Sequence, residues 1–589
     1  MIVLRLLCFA LLVLCWLGGS ARADISYVTK FAGISGSLAD KLHDSSQLVA
    51  LKDRQPASVA ALQRRADADV PRLVQVLHAA GYWAAKIDVQ MAPQAQPVTV
   101  TLQVTPGPLY HLESVRFVAP GGGTPPLLPD YNPAAFGLEI GGPALAAPVL
   151  TAENRMLSTY AERGRPFAKV TDRRVVIDDG KHTMSLTYTV DAGPEARFGA
   201  VTIDGLKSLE SGYVERRISW HEGAIYDQQE VETTRKALVD SNLFSVVQVT
   251  PGTMPDVEGR VPITITLAER LPRSVGAGAD YSTSLGFGAL AYWENRNLFG
   301  DGESLRVTTQ FAQSQIGLLT QFRRPDFGAT GQDLLATADL ADETPVAYTS
   351  RRLKLSSGLE RRFDKIYTAG ALIDYEHGNV TAHEETQHYQ LAGVPLYIRR
   401  DTTGNLLDPV MGTRAALETT PYTGVAGTHL TFVTSRLSGS AYQPIGGDAR
   451  FVLAGYGRIG AIFGEPRQSM PADKLLYVGG GGSVRGYGYQ TVGPLDSGDK
   501  PLGGLSSLEF GGELRAKITD TIGLVPFIDA GNVYETSLPR PTGRLFYGAG
   551  LGLRYYTAVG PIRLDLATPL SRRPSDGIIQ VYISLGQAF

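Results

Sequence analysis

The stretch Arg544–Tyr556, RLFYGAGLGLRYY, decides the fold of the C-terminal half. Successive side chains of an extended strand point to opposite faces. Leu545, Tyr547, Ala549, Leu551, Leu553 and Tyr555 therefore share one face, and Arg544, Gly548, Gly550, Gly552 and Arg554 share the other. Arginines alternating with glycines make a poor sandwich core, but an apolar outside with a small or charged inside is the lipid/lumen division of a membrane barrel. The flanking sequence repeats the pattern. Ile562, Leu564 and Leu566 stand against Arg563 and Asp565. The last stretch sets Ile579, Val581, Ile583, Leu585 and Phe589 against Gln580, Tyr582, Ser584, Gly586 and Ala588. Upstream, the texture begins near Ser274, and 18 of the 26 tyrosines lie at or after Tyr281, as interfacial aromatic girdles require. The 316 residues from 274 onward, at roughly 20 residues per strand with its connection, predict about 16 antiparallel strands. Closure is obligatory in lipid, where each unpaired backbone group costs several kcal/mol.

Composition agrees with export and excludes several classes. The chain has 589 residues, enough for two to four domains, with 19% charged residues and 66 glycines. A net charge of −3 gives no basic surface, so no nucleic-acid partner is expected. Mean hydropathy of −0.04 is too polar for a helical membrane protein, though not for a barrel. Arg5, the apolar run Leu6–Leu17 and Ala21-Arg22-Ala23 predict a cleaved secretory signal over residues 1–23. That run is too short to span a bilayer. Both cysteines, Cys8 and Cys15, fall inside it, so the predicted mature chain has none, which suits passage through an oxidising compartment.

Residues 24–272 repeat a pattern three times, each time a helical segment, a Gly or Asn turn, an aromatic residue and two strands. The copies read PRLVQVLHAAGYWAAKIDVQM, ENRMLSTYAERGRPFAKVTDRRVVI and ETTRKALVDSNLFSVVQV, with Trp83, Phe167 and Phe244 in equivalent places. A small sheet with helices on one face buries both apolar surfaces. Serial, exported β-α-α-β-β units of this size resemble POTRA (polypeptide-transport-associated) domains. The resulting organisation is signal 1–23, POTRA-like units at 24–108, 109–195 and 196–272, and a barrel at 273–589. The fold class is thus α+β POTRA repeats followed by an all-β transmembrane barrel.

Three motifs narrow the family. GGGGSVRGYGY contains Val484, Arg485, Gly486 and Tyr487, FIDAGNVY contains Phe527, Asp529 and Gly531, and ENRNLFGDGE lies near the first barrel strands. Together they resemble the outer-membrane insertase superfamily, which contains BamA, TamA and the two-partner secretion transporters. That resemblance implies an extracellular loop folded into the barrel, with Arg485 at its tip paired to Asp529 on the wall. A buried arginine needs a carboxylate, and the glycines permit close approach. BamA-like proteins usually carry five POTRA units, and the secretion transporters carry two behind a plug helix. Three units and a barrel resemble the TamA branch. The branch implies a periplasmic location for the POTRA units and client outer-membrane proteins, autotransporters among them. It also implies a TamB-like inner-membrane-anchored partner with a part in phospholipid transport.

A residue-level expectation concerns the seam where first and last strands meet. The first strand, G-A-G-A-D-Y from Gly276 through Gly278 and Asp280 to Tyr281, is poor in large side chains, and the last carries Gly586 three residues before Phe589. Glycine weakens strands through entropy and lost cross-strand packing, so this seam is expected to open laterally to a client strand. A C-terminal Phe589 looks like the terminal signal of outer-membrane strands. No cofactor, metal or catalytic site is expected. GGGGSVRG has no following helix to make a phosphate loop. HEETQH spaces His383 and His388 five apart, where two ligands on one helical face need four. No G-x-S-x-G elbow is present. The competing expectations are a two-partner secretion pore, which would make residues 24–65 a plug helix, and a passive porin.

Overall fold

The structure is a computed structural model, describing residues 25–126, 132–283, 286–447, 449–540, 543–558 and 560–589; the predicted signal lies outside them. Three small sheets come first. Each has strand order first–third–second: Tyr27–Ala32, Lys86–Ala92 and Val98–Thr105; His111–Val118, Lys169–Asp178 and Thr183–Asp191; Arg197–Asp204, Phe244–Pro251 and Arg260–Glu269. In the first two sheets the first and third strands run parallel, which requires the helical crossover the repeat contains. The principal helices are Val59–Ala79, Ala146–Ala161 and Gln228–Asp240. Each is followed by a residue in left-handed backbone, Gly81 (φ 90°), Gly164 (φ 82°) and Asn242 (φ 59°), the turn the three sequence copies share.

Apolar spacing explains the cores. Leu62, Leu73 and Leu77 on one helical stripe bury against Val100, Leu102 and Val104 on one strand face. Met156 and Tyr160 do the same with Leu186, Tyr188 and Val190. Trp83 stacks on His78, with ring centroids 5.1 Å apart, and packs against the core of the second sheet. The strand Tyr27–Ala32 pairs along its whole length with Val98–Thr105, so this part of the N-terminal segment is a sheet member and not a plug.

The rest of the chain closes into a barrel of seventeen strand segments. Glu385–Gly393 and Leu396–Asp401 share both neighbours, Tyr367–Ala382 and Gly412–Gly424, and are halves of one strand. Pro395, which has no N–H to give the ladder, marks the break. The barrel therefore has sixteen antiparallel strands. Its outward face is apolar: in Phe546–Tyr556, Tyr547, Leu551, Leu553 and Tyr555 are exposed while Gly548, Gly552 and Arg554 are buried. Among the described residues no helix is long and apolar enough to cross a membrane. The HEETQH motif is a hairpin whose two turn residues, His383 (φ 51°) and Glu384 (φ 69°), have the left-handed backbone of a tight reversal.

The C-terminus departs from the expectation. The last strand is Gln580–Leu585 and stops there. Gly586 takes φ 88°, a conformation open to glycine at little cost, and the final residues leave the wall. Phe589, expected on the lipid face, lies against lumenal Tyr442 and Tyr456, with ring centroids 6.2 and 4.6 Å away.

Residues 203–217 belong to the same compact unit as the barrel, and the ENRNLFGDGE turn is where they meet it. The Asn297 side-chain amide donates to the Ser208 carbonyl at 3.1 Å, the Glu210 amide donates to the Gly300 carbonyl at 2.8 Å, and Arg217 pairs with Asp326 at 2.5 Å. Glu269 organises this segment. Burial works against its charge, but the amides of Lys207, Leu209 and Ser208 and the Ser208 hydroxyl outweigh that, holding its pKa down to about 2. A depressed carboxylate stabilises the fold above its unfolded value and loses that contribution as pH falls. Hydrogen-exchange protection of the 207–209 amides is expected to persist at neutral pH and to fall between about pH 4.5 and 2, with Glu269→Gln showing the weaker protection at neutral pH and little further loss in acid.

Candidate functional site

Inside the barrel, the long connection between Phe451–Phe463 and Ser506–Lys517 folds inward and packs against the lumenal wall. Its tip is Val484-Arg485-Gly486-Tyr487, and three of these side chains are essentially inaccessible to solvent. Arg485 donates from Nε to Asp529 Oδ2 at 2.7 Å and from Nη2 to Oδ1 at 3.0 Å, a two-point fork. Its backbone N–H reaches Oδ2 at 3.2 Å, and Nη1 serves both Glu513 Oε1 at 2.7 Å and Asp565 Oδ2 at 3.0 Å. The guanidinium also lies 3.5 Å from the centre of the Phe527 ring.

Strand geometry explains why the wall motif reads F-x-D-x-G. Phe527, Asp529 and Gly531 are two apart on Ile522–Tyr534, so all three face the lumen. Phe527 supplies the ring and Asp529 the fork. Gly531 supplies room, since a Cβ there would meet Val484 Cγ2 at 2.9 Å. Gly486 is fixed twice over: its φ is 98°, and a Cβ would stand 2.8 Å from the Thr568 carbonyl. The tip also grips the last strand. Gly486 N–H donates to the Tyr582 hydroxyl at 3.2 Å, and that hydroxyl donates to the Tyr487 carbonyl at 3.1 Å.

The sequence motifs do not contain the whole network. Glu513 accepts from Arg515 at 2.9 Å, and Arg515 reaches the Phe589 backbone oxygen at 3.2 Å. Asp565 accepts from Arg554 at 2.5 Å, and Arg554 reaches the Gln587 side chain at 2.8 Å. Arg554, Arg563 and Asp565 are legible as inward-facing from alternation alone. Glu513 and Arg515 were missed, although Glu509, Glu513 and Arg515 sit on one face of Ser506–Lys517 and Leu508, Phe510 and Leu514 on the other.

At the seam, the described residues of the first and last strands pair in register only at Tyr281↔Ile583 and Ser282↔Tyr582. Three further bonds extend them on one side: Thr283 N–H to the Val581 carbonyl at 3.1 Å, Val581 N–H to the Thr283 hydroxyl at 3.2 Å, and that hydroxyl to Gln580 Oε1 at 2.5 Å. The first strand, Arg273–Ser282, is by contrast paired with Gly286–Asn295 over its full length. Gly276 and Gly278 belong to that well-paired side, and a Cβ on Gly276 would collide with the Tyr292 ring. Asp280 lines a lumenal cavity of about 730 Å³ beside the seam. Gly586 and Phe589 turn away from the first strand. The seam is weak because its register stops, more than because it is rich in glycine. Among the described residues no group of side chains is arranged to hold a metal ion.

A sixteen-stranded barrel with an inward loop pinned by a V-R-G-Y tip, preceded by three first–third–second sheets, defines a POTRA-bearing membrane barrel. The Omp85 superfamily domain matches residues 297–589, and POTRA, described as a surface antigen variable number repeat, matches residues 196–270. The chain is an Omp85 superfamily protein with a POTRA domain. It is 23% identical over 447 residues to the outer membrane protein assembly factor BamA of Nitratidesulfovibrio vulgaris, covering 72% of this chain and 55% of that protein. It is 24% identical over 474 residues to the BamA of Neisseria meningitidis serogroup B, covering 69% and 58%. The chain thus spans somewhat over half the length of these relatives. The crystal structure of Haemophilus ducreyi BamA lacking POTRA domains 1–3 superposes with a TM-score of 0.68 at 18% identity, covering 81% of this chain and all of that one.

Arg485→Ala leaves Asp529, Glu513 and Asp565 buried without their shared cation, and breaking a buried pair this way costs about 3–5 kcal/mol. The urea midpoint of the folded, heat-modifiable form is expected to drop accordingly. Asp529→Asn, which keeps a hydrogen-bonding partner in place, is expected to lose less.

Proposed function

We propose that this chain is an outer-membrane assembly factor that helps insert and translocate outer-membrane proteins, autotransporters among them, through its weakly paired seam. The barrel would span the outer membrane with the POTRA units in the periplasm. The observation that carries this reading is the two-pair seam in a barrel whose other neighbours pair over five or more positions. Each ladder hydrogen bond is worth about 0.5–1.5 kcal/mol net in water and more in lipid, so the short ladder makes the seam the place where the wall costs least to open. A client's terminal strand would add to the exposed edge by main-chain pairing, needing no nucleotide.

Two features support this reading. Strand length falls from 16 residues in Tyr367–Ala382 to 6 in Gln580–Leu585, so the wall is lowest beside the seam, where a short apolar belt thins the bilayer. The tip of the loop holds the last strand through Tyr582 and, among the described residues, makes no such bond to the first, leaving one jaw fixed. Three POTRA-like sheets favour the TamA branch within this reading, and with it a TamB-like inner-membrane-anchored partner. A secretion pore is disfavoured by the sheet role of Tyr27–Ala32, and a passive porin by the loop bonded inside the lumen.

Tyr281 and Ile583 are register partners, which makes them the natural sites for a reversible lock. With Cys8 and Cys15 removed, Tyr281→Cys/Ile583→Cys is expected to abolish autotransporter insertion into the outer membrane when oxidised and to restore it on reduction. Equal insertion in both states overturns the lateral route. Affinity capture of a large inner-membrane-anchored protein from crosslinked envelopes is expected if the TamA branch is right.

A further inference from the structure

A second foot holds the inward loop, and it lies across the barrel from Arg485. Before the tip, the loop runs through Arg467–Ser469 and Ala472–Lys474. Lys474 forms an ion pair with Glu376 on Tyr367–Ala382, and both groups are nearly buried. Its ammonium also stands 5.2 Å from the centre of the Tyr389 ring. Asp473 accepts from Ser350 at 2.9 Å and from the Tyr389 hydroxyl at 2.6 Å, while that hydroxyl also lies 3.0 Å from Glu376. Met470 adds an apolar contact, buried in one cluster with Tyr389 and Leu391.

Counted around the sixteen strands, Ser350, Glu376 and Tyr389 sit on the sixth, seventh and eighth. Glu513, Asp529, Asp565 and Tyr582 sit on the twelfth, thirteenth, fifteenth and sixteenth. The two sets of contacts are about half a circumference apart, and ten residues of one loop separate Lys474 from Arg485. Two charged groups taken out of water are held only where geometry and partners compensate the desolvation. Both feet meet that condition on opposite walls, so the loop is fixed at each end.

We propose that this loop is a strut across the lumen and that Asp473 and Lys474 are its positioning residues on the far wall. The strut braces the arc from the sixth strand round to the sixteenth. Among the described residues no hydrogen bond or ion pair joins the loop to the first five strands, an arc that ends at the two-pair seam, and that arc is the one free to swing. Bracing is a property of the empty barrel; only the use of the free arc for client entry rests on the assembly reading above.

Spin labels at Glu385→Cys, the first residue of the eighth strand, and at Leu538→Cys, on the thirteenth-to-fourteenth connection, span the braced diameter; Gln313→Cys with Leu538→Cys reports the free arc. Both pairs are made in the full chain lacking Cys8 and Cys15, reconstituted without client, and checked for heat-modifiable folding. The Glu385–Leu538 distance distribution is expected to be narrow and to roughly double in width in Glu376→Gln/Lys474→Met, which removes the pair without orphaning a charge. Lys474→Arg is expected to keep it narrow. An unchanged width in the double variant overturns the strut, as does a Lys474→Arg distribution as broad as the double variant's. A Gln313–Leu538 distribution as narrow as the Glu385–Leu538 one overturns the free arc. None of these readouts depends on client insertion, so the strut and the assembly role fail separately.

Discussion

The forked pairing of Arg485 with Asp529 organises the lumen. A guanidinium this deeply buried is tolerable only when every face finds a partner, and here Asp529, Glu513, Asp565 and the Phe527 ring take those places. The requirement propagates outward. Glu513 and Asp565 recruit Arg515 and Arg554, which in turn reach Phe589 and Gln587 at the chain's end. One buried cation thus ties a loop tip, three wall strands and the C-terminus into a single charged assembly.

That assembly sets an asymmetry. The last strand is bonded to the tip through Tyr582, whereas the first is held by its own neighbour and by two register pairs across the gap. A barrel closed by equal ladders all round has no preferred place to part. In this one the shortest ladder among the described residues lies between the first and last strands, next to the strand that the loop tip holds.

Much of this was readable in the residues. Alternation in Arg544–Tyr556 and Pro561–Pro569 gave the lipid and lumen faces because a membrane barrel exchanges inside for outside without relaxing period two. The helix–turn–aromatic repeats marked the three sheets because Gly81, Gly164 and Asn242 must turn left-handed at equivalent points. The Arg485–Asp529 pairing was an expectation of family resemblance, and the distances now describe it. Alternation failed at the C-terminus: it carries Phe589 to the lipid side, but Gly586 turns the chain before parity can act. It also could not supply Asp473 and Lys474. Their partners Ser350, Glu376 and Tyr389 lie on three different strands, and no local pattern in a loop announces which wall it will meet.

The turn at Gly586 has one more consequence. Extending the register Tyr281↔Ile583 along both strands would set Phe589 opposite Val275. By bending into the lumen, the tail forgoes those rungs, and among the described residues no ladder pair covers the outer side of residues 275–278. Unpaired edges of this kind are what sheet proteins ordinarily hide. This one is left open by a tail that lies in the lumen, with Phe589 beside Tyr456.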